Sequence, residues 1–103
     1  MTNPAAPFSI RHNVDHQRFE AGQEPHLAFL NYTKEAHSEG RVIFEYVFVP
    51  HELRGRGVGA ALVRAALEEG RQRSWKIVPR CGFVAEFIER NREFLDLVDD
   101  EGV

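Results

Sequence analysis

Three glycines and two arginines alternate in the segment RGRGVG, residues 54–59. Glycine in or near a helix costs about 1 kcal/mol relative to alanine, so three of them need a further reason. The first turn of a helix carries backbone N–H groups without an internal acceptor, and a partial positive charge. With side chains removed and arginines alongside, those N–H groups can bind phosphate directly. The segment therefore predicts a helix start that binds a pyrophosphate, although glycines needed only for turn geometry and close sheet packing remain an alternative.

Two common phosphate loops fit this segment poorly. A Walker loop ends in Gly-Lys-Ser/Thr, which residues 52–62 lack. The dinucleotide pattern G-x-G-x-x-A is met by Gly55, Gly57 and Ala60. That pattern follows the first strand of a parallel sheet and needs an acidic residue about 20 positions later. Here several predicted strands come first and WKIVPRC (75–81) offers no carboxylate, so we interpret the match as accidental.

The residues before Pro50 have the alternation of β-strands. The predicted strands are FSIRHNV (8–14), QRFEA (17–21), HLAFLNY (26–32) and RVIFEYVFV (41–49), with a turn at AGQEP (21–25) and a polar connection at TKEAHSEG (33–40). The segment 41–49 is too short and too rich in β-branched and aromatic residues for a helix. Its apolar character predicts a central strand covered on both faces.

After Pro50 the hydrophobic period becomes helical. From Val58 to Gly70 one face holds small and aliphatic residues, a second strand follows at WKIVP (75–79), and GFVAEFIERN (82–91) returns to helical spacing. A strand, a crossover helix and a strand make the two strands parallel, with a ligand expected at the carboxyl end of the first. The sequence thus predicts a single-domain mixed α/β sheet over residues 1–103, with 1–7 flexible and 99–103 an acidic tail.

Composition limits the possible partners. The 103 residues carry a formal net charge of −3 and one cysteine, which gives no general attraction to nucleic acid and allows no internal disulfide. No apolar stretch is long enough to span a bilayer, and the N-terminus lacks the features of a signal peptide. The five histidines are scattered, so no metal site is predicted. We expect a cytoplasmic monomer or weak dimer without nucleic-acid or membrane partners.

Two segments together resemble a known superfamily. VPHELRGRGVGAAL resembles motif A of the GNAT superfamily of acyl-CoA-dependent N-acyltransferases, [RQ]-x-x-G-x-[GA], with Arg54, Gly57 and Gly59 at its specified positions. VPRCGFVAEFIERN resembles a segment of its short YjdJ-type branch, and the likeness covers most of residues 41–98. It implies a GNAT-type mixed α/β sheet shortened at the C-terminus, without the final hairpin of larger members.

The resemblance also implies a cosubstrate and a set of site residues. Acetyl-CoA would place its pyrophosphate on residues 54–60 and its pantetheine arm between strands 42–49 and 76–78, which splay apart. The cofactor-binding residues expected on this basis are Val49, Arg54, Gly55, Arg56, Gly57, Val58, Gly59, Ala60 and Cys81.

Two residues are candidates for catalysis. Cys81 precedes a predicted helix and follows Arg80, a setting that favours the thiolate, although a small packing residue is an equal alternative. Relatives of the YjdJ type read HTEVP where this chain reads YVFVP, so Tyr46 replaces a histidine and Phe48 replaces the glutamate that serves as a candidate base. Tyr46 could bridge to a water molecule, whereas Glu45 is expected to pair with a basic group.

The resemblance implies an acetyl-CoA-dependent N-acetyltransferase acting on a primary amine, in a small molecule or a protein lysine. Because the usual base is missing, a CoA-binding module with little or no catalytic activity is the alternative. A domain whose glycines bind another phosphate ligand is the third hypothesis.

Overall fold

The computed structural model describes residues 9–99, which form a five-stranded sheet with helices packed on one face. The strands are β1 Arg11–Asn13, β2 Arg18–Ala21, β3 Ala28–Lys34, β4 Arg41–Phe48 and β5 Lys76–Pro79, and the helices are α1 Val58–Gln72 and α2 Gly82–Arg90. Short 3-10 turns span His51–Leu53 and Arg92–Leu97. The predictions for residues 1–7 and for most of the acidic tail lie outside the described residues.

The strands follow one another across the sheet in the order β1-β2-β3-β4-β5. Neighbouring pairs from β1 to β4 are antiparallel, and β5 lies parallel to β4. The predicted mixed α/β sheet and its strand, crossover helix and parallel strand are therefore confirmed. Within the described residues no helix is long and apolar enough to cross a membrane.

One face of the sheet, here called the inner face, carries the core. Alternate residues Ala28, Leu30 and Tyr32 of β3 are at most 3% exposed, and Leu30 pairs with Phe19 of β2. The buried residues of α1 and α2 belong to the same cluster as these strand residues. Both helices thus cover the inner face.

Helix α1 approaches the sheet closely because its inner side is built from small residues. A Cβ on Gly70 would lie 2.9 Å from Cδ1 of Ile77 and 3.3 Å from Cε3 of Trp75. Both of those side chains are buried in the core. The glycine predicted on the inward face of this helix is therefore required for packing, together with the fully buried Leu62 and Ala66.

A β-bulge at Glu45 divides β4 into two halves. Tyr32 pairs with Phe44 and Asn31 with Tyr46, so Glu45 has no opposite residue on β3. Alternation is inverted beyond this point: Phe44 faces the core, whereas Tyr46 faces the opposite side, here called the outer face. Tyr46 is 54% exposed. The prediction of a strand covered on both faces is wrong for this half, because both helices lie on the inner face.

Candidate functional site

The loop before α1 has a backbone that favours glycine. Gly55 and Gly57 have φ angles of +77° and +80°, in the left-handed region that L side chains rarely adopt. Gly57 is the N-cap of α1 and no side chain caps the helix. A Cβ at either glycine would meet nothing within 4 Å. These two glycines therefore serve the turn itself and leave its solvent side open.

The first helical N–H groups of α1 remain available for a ligand. The N–H of Ala61 donates to the carbonyl of Gly57 at 3.0 Å, which is the first hydrogen bond of the helix. The preceding N–H groups, of Val58, Gly59 and Ala60, have no acceptor in the preceding turn of the helix. With the positive end of the helix dipole behind them, they form a site suited to an anion.

Arg54 fixes the loop to the end of β4. Its Nε donates to the carbonyl oxygen of Val49 at 2.9 Å, and its backbone N–H donates to the carbonyl of His51. Arg56 is exposed and lies outside the cavity described next. The two arginines predicted to bind phosphate thus differ, since one is tied to the strand end and the other faces solvent.

A cavity of about 340 Å³ opens beside this loop. It is lined by Val47, Val49, Arg54, Gly55, Gly57, Val58, Gly59, Ala60 and Phe83. Seven of the nine residues predicted to bind the cofactor are brought together here, whereas Arg56 and Cys81 do not line it. Whether they bind acetyl-CoA stays a prediction.

Gly59 has a packing role that the sequence analysis gave only as an alternative. A Cβ on it would lie 3.1 Å from Cζ and 3.2 Å from Cε2 of Phe83, and 3.6 Å from Cγ2 of Val49. The absence of a side chain lets the first turns of α1 and α2 meet beside the end of β4. Gly59 thereby shapes the cavity wall as well as exposing an N–H group.

The two parallel strands separate next to the cavity. Their pairing runs from Arg41 with Lys76 to Phe44 with Pro79. The N–H groups of Arg80 and Cys81 both donate to the carbonyl of Phe44, at 3.1 and 3.2 Å. Beyond Phe44, β4 continues to Phe48, whereas the segment that follows β5 turns into α2. This leaves a gap along the edge of β4.

Cys81 and Tyr46 lie on different sides of that gap. Cys81 is the N-cap of α2 and packs, partly buried, against the core. Tyr46 lies on the outer face, with its ring 6.4 Å from that of Phe29 between centroids. Phe48 shares this face, 5.7 Å from Phe29. The catalytic roles of Cys81 and Tyr46 stay predictions.

Glu45, the acidic residue next to Tyr46 in the chain, pairs with an arginine. Oε1 of Glu45 lies 3.6 Å from Nη1 of Arg80, the pairing with a basic group that alternation predicted. The residues lining the cavity include no carboxylate. Phe94 is 3% exposed and packs on Phe87. The cavity wall therefore offers no acidic side chain that could act as a base.

Comparison with known proteins decides the family. The profile of the family described as GCN5-related N-acetyl-transferase matches residues 18–97, most of the chain. The chain belongs to this family. A solution NMR structure of a GCN5-like candidate N-acetyltransferase from Staphylococcus aureus is 25% identical, with a TM-score of 0.69, and the match covers 88% of this chain and 87% of that one. A search of curated proteins gives no significant match. Membership of the YjdJ-type branch stays a prediction.

Sequence reasoning missed two cavity residues of this GCN5-related chain. Val47 lies two positions before Val49 and shares its face, so alternation within the second half of β4 could have found it. Phe83 is 44% exposed in the first turn of α2. Its signal was weaker, because a phenylalanine at helical spacing is normally assigned to the core.

A polar cluster lies near the C-terminal end of α1, opposite the end that carries the glycine-rich loop. Nε2 of His12 is 2.7 Å from Oη of Tyr32, and its ring stacks on Phe19 at 4.2 Å between centroids. Its Nδ1 lies 3.7 Å from Oε2 of Glu69, which also accepts from Arg73. Burial lowers the pKa of His12, and the charge of Arg73 lowers it further against the opposing pull of Glu69. In residues 9–99 no group of three or more histidine, cysteine or acidic residues could hold a metal ion.

Proposed function

We propose that the chain binds acetyl-CoA and transfers its acetyl group to a primary amine, of a small molecule or a protein lysine. The observation that carries this proposal is the glycine-rich start of α1, whose uncapped N–H groups open onto the cavity beside the end of β4. Family membership supports the reaction type. The residues present fit the cosubstrate, since they combine an anion site with an apolar wall and a free strand edge.

Each part of this region has a role in holding acetyl-CoA. The N–H groups of Val58, Gly59 and Ala60 would bind the pyrophosphate, with Arg56 adding positive charge. Val49 and Phe83 would contact the apolar part of the molecule. The edge of β4 beyond Phe44 has backbone groups without a β5 partner. Those groups would hydrogen-bond to the amides of the pantetheine arm, as an added strand does.

Acetyl-CoA supplies an activated thioester, and the chain must align a neutral amine with it. The amine nitrogen forms a bond to the carbonyl carbon, and the C–S bond breaks with its electron pair remaining on sulfur. The proton released by the nitrogen passes to solvent or to the thiolate. Holding the two reactants together supplies much of the acceleration. Tyr46 is our candidate for relaying the proton through water, and Cys81 for contacting the thioester group.

A second candidate function is a CoA-binding module with little or no catalysis. Two observations favour it: the cavity wall carries no carboxylate, and Glu45 is engaged with Arg80. The two functions differ only in whether an amine consumes the thioester.

Thermal denaturation with acetyl-CoA, CoA and ATP tests the binding. Acetyl-CoA at a hundredfold excess over its dissociation constant should stabilise the fold by about 2.7 kcal/mol. Gly57→Asp should abolish this shift, since it places bulk and negative charge at the anion site. Gly40→Asp is the matched control, because Gly40 also has a φ of +81° and lies outside the cavity. A full response in Gly57→Asp would refute the loop assignment, and a preference for ATP would support another phosphate ligand.

Release of free thiol from acetyl-CoA over a panel of primary amines separates the two functions. Amine-dependent release is expected for a transferase. Binding without release, at every amine tested, would assign the chain to the CoA-binding module.

A further inference from the structure

The outer face of the sheet carries an exposed aromatic cluster formed by Phe29, Tyr46 and Phe48. The ring of Phe29 lies 5.7 Å from that of Phe48 and 6.4 Å from that of Tyr46, between centroids. Tyr46 is 54% exposed, Phe29 and Phe48 are half-buried, and none of the three belongs to the hydrophobic core. Exposed apolar side chains grouped in this way mark a binding surface more often than isolated ones do.

This cluster adjoins the gap where the thioester is expected. The second half of β4 turns Val47, with Val49 just beyond the strand, toward the cavity, and it turns Tyr46 and Phe48 toward the outer face. Because β5 pairs with β4 only as far as Phe44, the edge between the two faces has no β5 strand beside it. An acceptor lying on the outer face would therefore meet an acyl group held along that edge.

The chemistry of the cluster favours a cation with a flat apolar body. Aromatic faces attract cations, and the guanidinium of Arg18 already lies 5.4 Å from the centroid of Phe29. The carboxylate of Glu20 on this face is engaged by Arg18 and Asn13. Recognition therefore falls to the rings. Contacting rings best complement another ring in offset or edge-to-face geometry.

A side-chain amide beside the cluster offers a bound molecule a hydrogen-bond acceptor atom. Asn31 pairs with Tyr46 across the β3–β4 ladder, and its Oδ1 is buried without a hydrogen-bond donor. Buried amide oxygens are normally satisfied. A rotation of this amide would let the oxygen accept a hydrogen bond from a molecule bound on the aromatic cluster.

We propose that Phe29, Tyr46 and Phe48 form the acceptor-binding surface and select a primary amine that carries an aromatic ring. This inference rests on the proposed acetyl transfer and names the substrate class for it. The ring of the acceptor stacks on Phe29 and Phe48, and its amine reaches the edge of β4. A protein lysine, which brings an alkyl chain in place of a ring, is the less favoured acceptor.

The test compares 2-phenylethylamine, n-butylamine and Nα-acetyl-lysine amide as acceptors. The KM for 2-phenylethylamine should be lower than that for n-butylamine by about tenfold, the scale of one good ring contact. Phe48→Leu should remove this preference while leaving the acetyl-CoA thermal shift unchanged. Phe29→Leu serves if Phe48→Leu fails to fold, since the ring of Phe29 lies within 6.4 Å of both other rings. Thr33→Ala is the control, because Thr33 is exposed on the same face two residues beyond Asn31.

The outcomes separate this proposal from the one on which it rests. Loss of the acetyl-CoA shift in the parent protein refutes acetyl transfer as a whole. A retained shift with equal KM values for the two simple amines, or a preference untouched by both variants, refutes only the aromatic acceptor surface. Preference for the lysine amide assigns the surface to a protein substrate and overturns the proposal. Sedimentation as a dimer that Tyr46→Ser dissociates assigns it to a second copy of the chain, with the same consequence.

Discussion

Substitution of Gly59 by alanine separates folding from cosubstrate binding. The added Cβ would lie 3.1 and 3.2 Å from ring atoms of Phe83, which must move by a few tenths of an ångström. Phe83 is 44% exposed, so it can tilt toward solvent. Alanine also gains about 1 kcal/mol of helix propensity over glycine. We therefore expect a free energy of unfolding within about 1 kcal/mol of the parent, because propensity offsets the displaced ring.

The same substitution should weaken acetyl-CoA binding. Gly59, Phe83 and Val49 all line the cavity, so the new methyl group and the shift of the ring both change the shape of its wall. Loss of one well-placed contact, about 1.4 kcal/mol, corresponds to a tenfold weaker dissociation constant. Urea denaturation measures the stability, and isothermal titration calorimetry measures the affinity for acetyl-CoA.

Gly70→Ala in the same helix is the matched control. Its Cβ would lie 2.9 Å from Cδ1 of Ile77 and 3.3 Å from Trp75, side chains that are buried and cannot move outward. Overpacking of this kind costs about 1–3 kcal/mol, which is larger than the gain in propensity. Gly70→Ala should thus lose stability and keep its affinity. The reasoning is refuted if Gly59→Ala is the less stable variant, or if it binds acetyl-CoA as the parent does.

Three further predictions concern His12, Glu20 and Cys81. Burial, together with the charge of Arg73, lowers the pKa of His12 below 6.5, so the unfolded chain takes up a proton on this histidine at a higher pH than the folded chain does. The free energy of unfolding in urea should therefore fall as the pH drops below about 6.5. His12→Gln should remove this pH dependence. Burial acts to raise the pKa of Glu20, but hydrogen bonds from Arg18 and Asn13 lower it below 4.5. Glu20→Gln should lower the free energy of unfolding by about 1–3 kcal/mol at pH 7. It should also weaken the loss of stability that the parent shows as the pH falls below 4.5. Iodoacetamide should alkylate Cys81 more slowly when CoA is bound, and an equal rate, followed by mass spectrometry, would assign it to packing alone.

The helix that carries the phosphate loop could be predicted because its signals are local. Gly59, Leu62 and Ala66 recur at helical spacing and all three are buried as predicted. The parallel arrangement of β4 and β5 follows from a strand, a helix and a strand in succession, and it is present. The glycines between the strand and the helix likewise predicted the cavity loop, since the backbone conformation there is one that glycine itself favours.

Contacts between distant segments could not be predicted in the same way. His12 was placed by alternation on a strand face, but its contacts with Tyr32 and Glu69 join β1, β3 and the end of α1. Phe83 enters the cavity only because the first turns of α1 and α2 meet. No period of the sequence encodes that meeting. Such contacts depend on how elements pack, and the hydrophobic pattern of each element is compatible with several packings.

The face assignment in β4 turns on a single inserted residue. Under strict alternation Phe44, Tyr46 and Phe48 share one face, and Val47 and Val49 share the other. The bulge at Glu45 reverses this relation beyond Phe44, so the valines line the cavity and the aromatic pair moves to the outer face. Apolar residues fill both faces of this segment, so hydrophobicity alone cannot locate the bulge. Glu45 is the one charged residue inside an otherwise apolar stretch, from Val42 to Val49. That residue was the available signal, because a carboxylate inside an apolar strand has to reach a basic partner or solvent, and here it reaches Arg80.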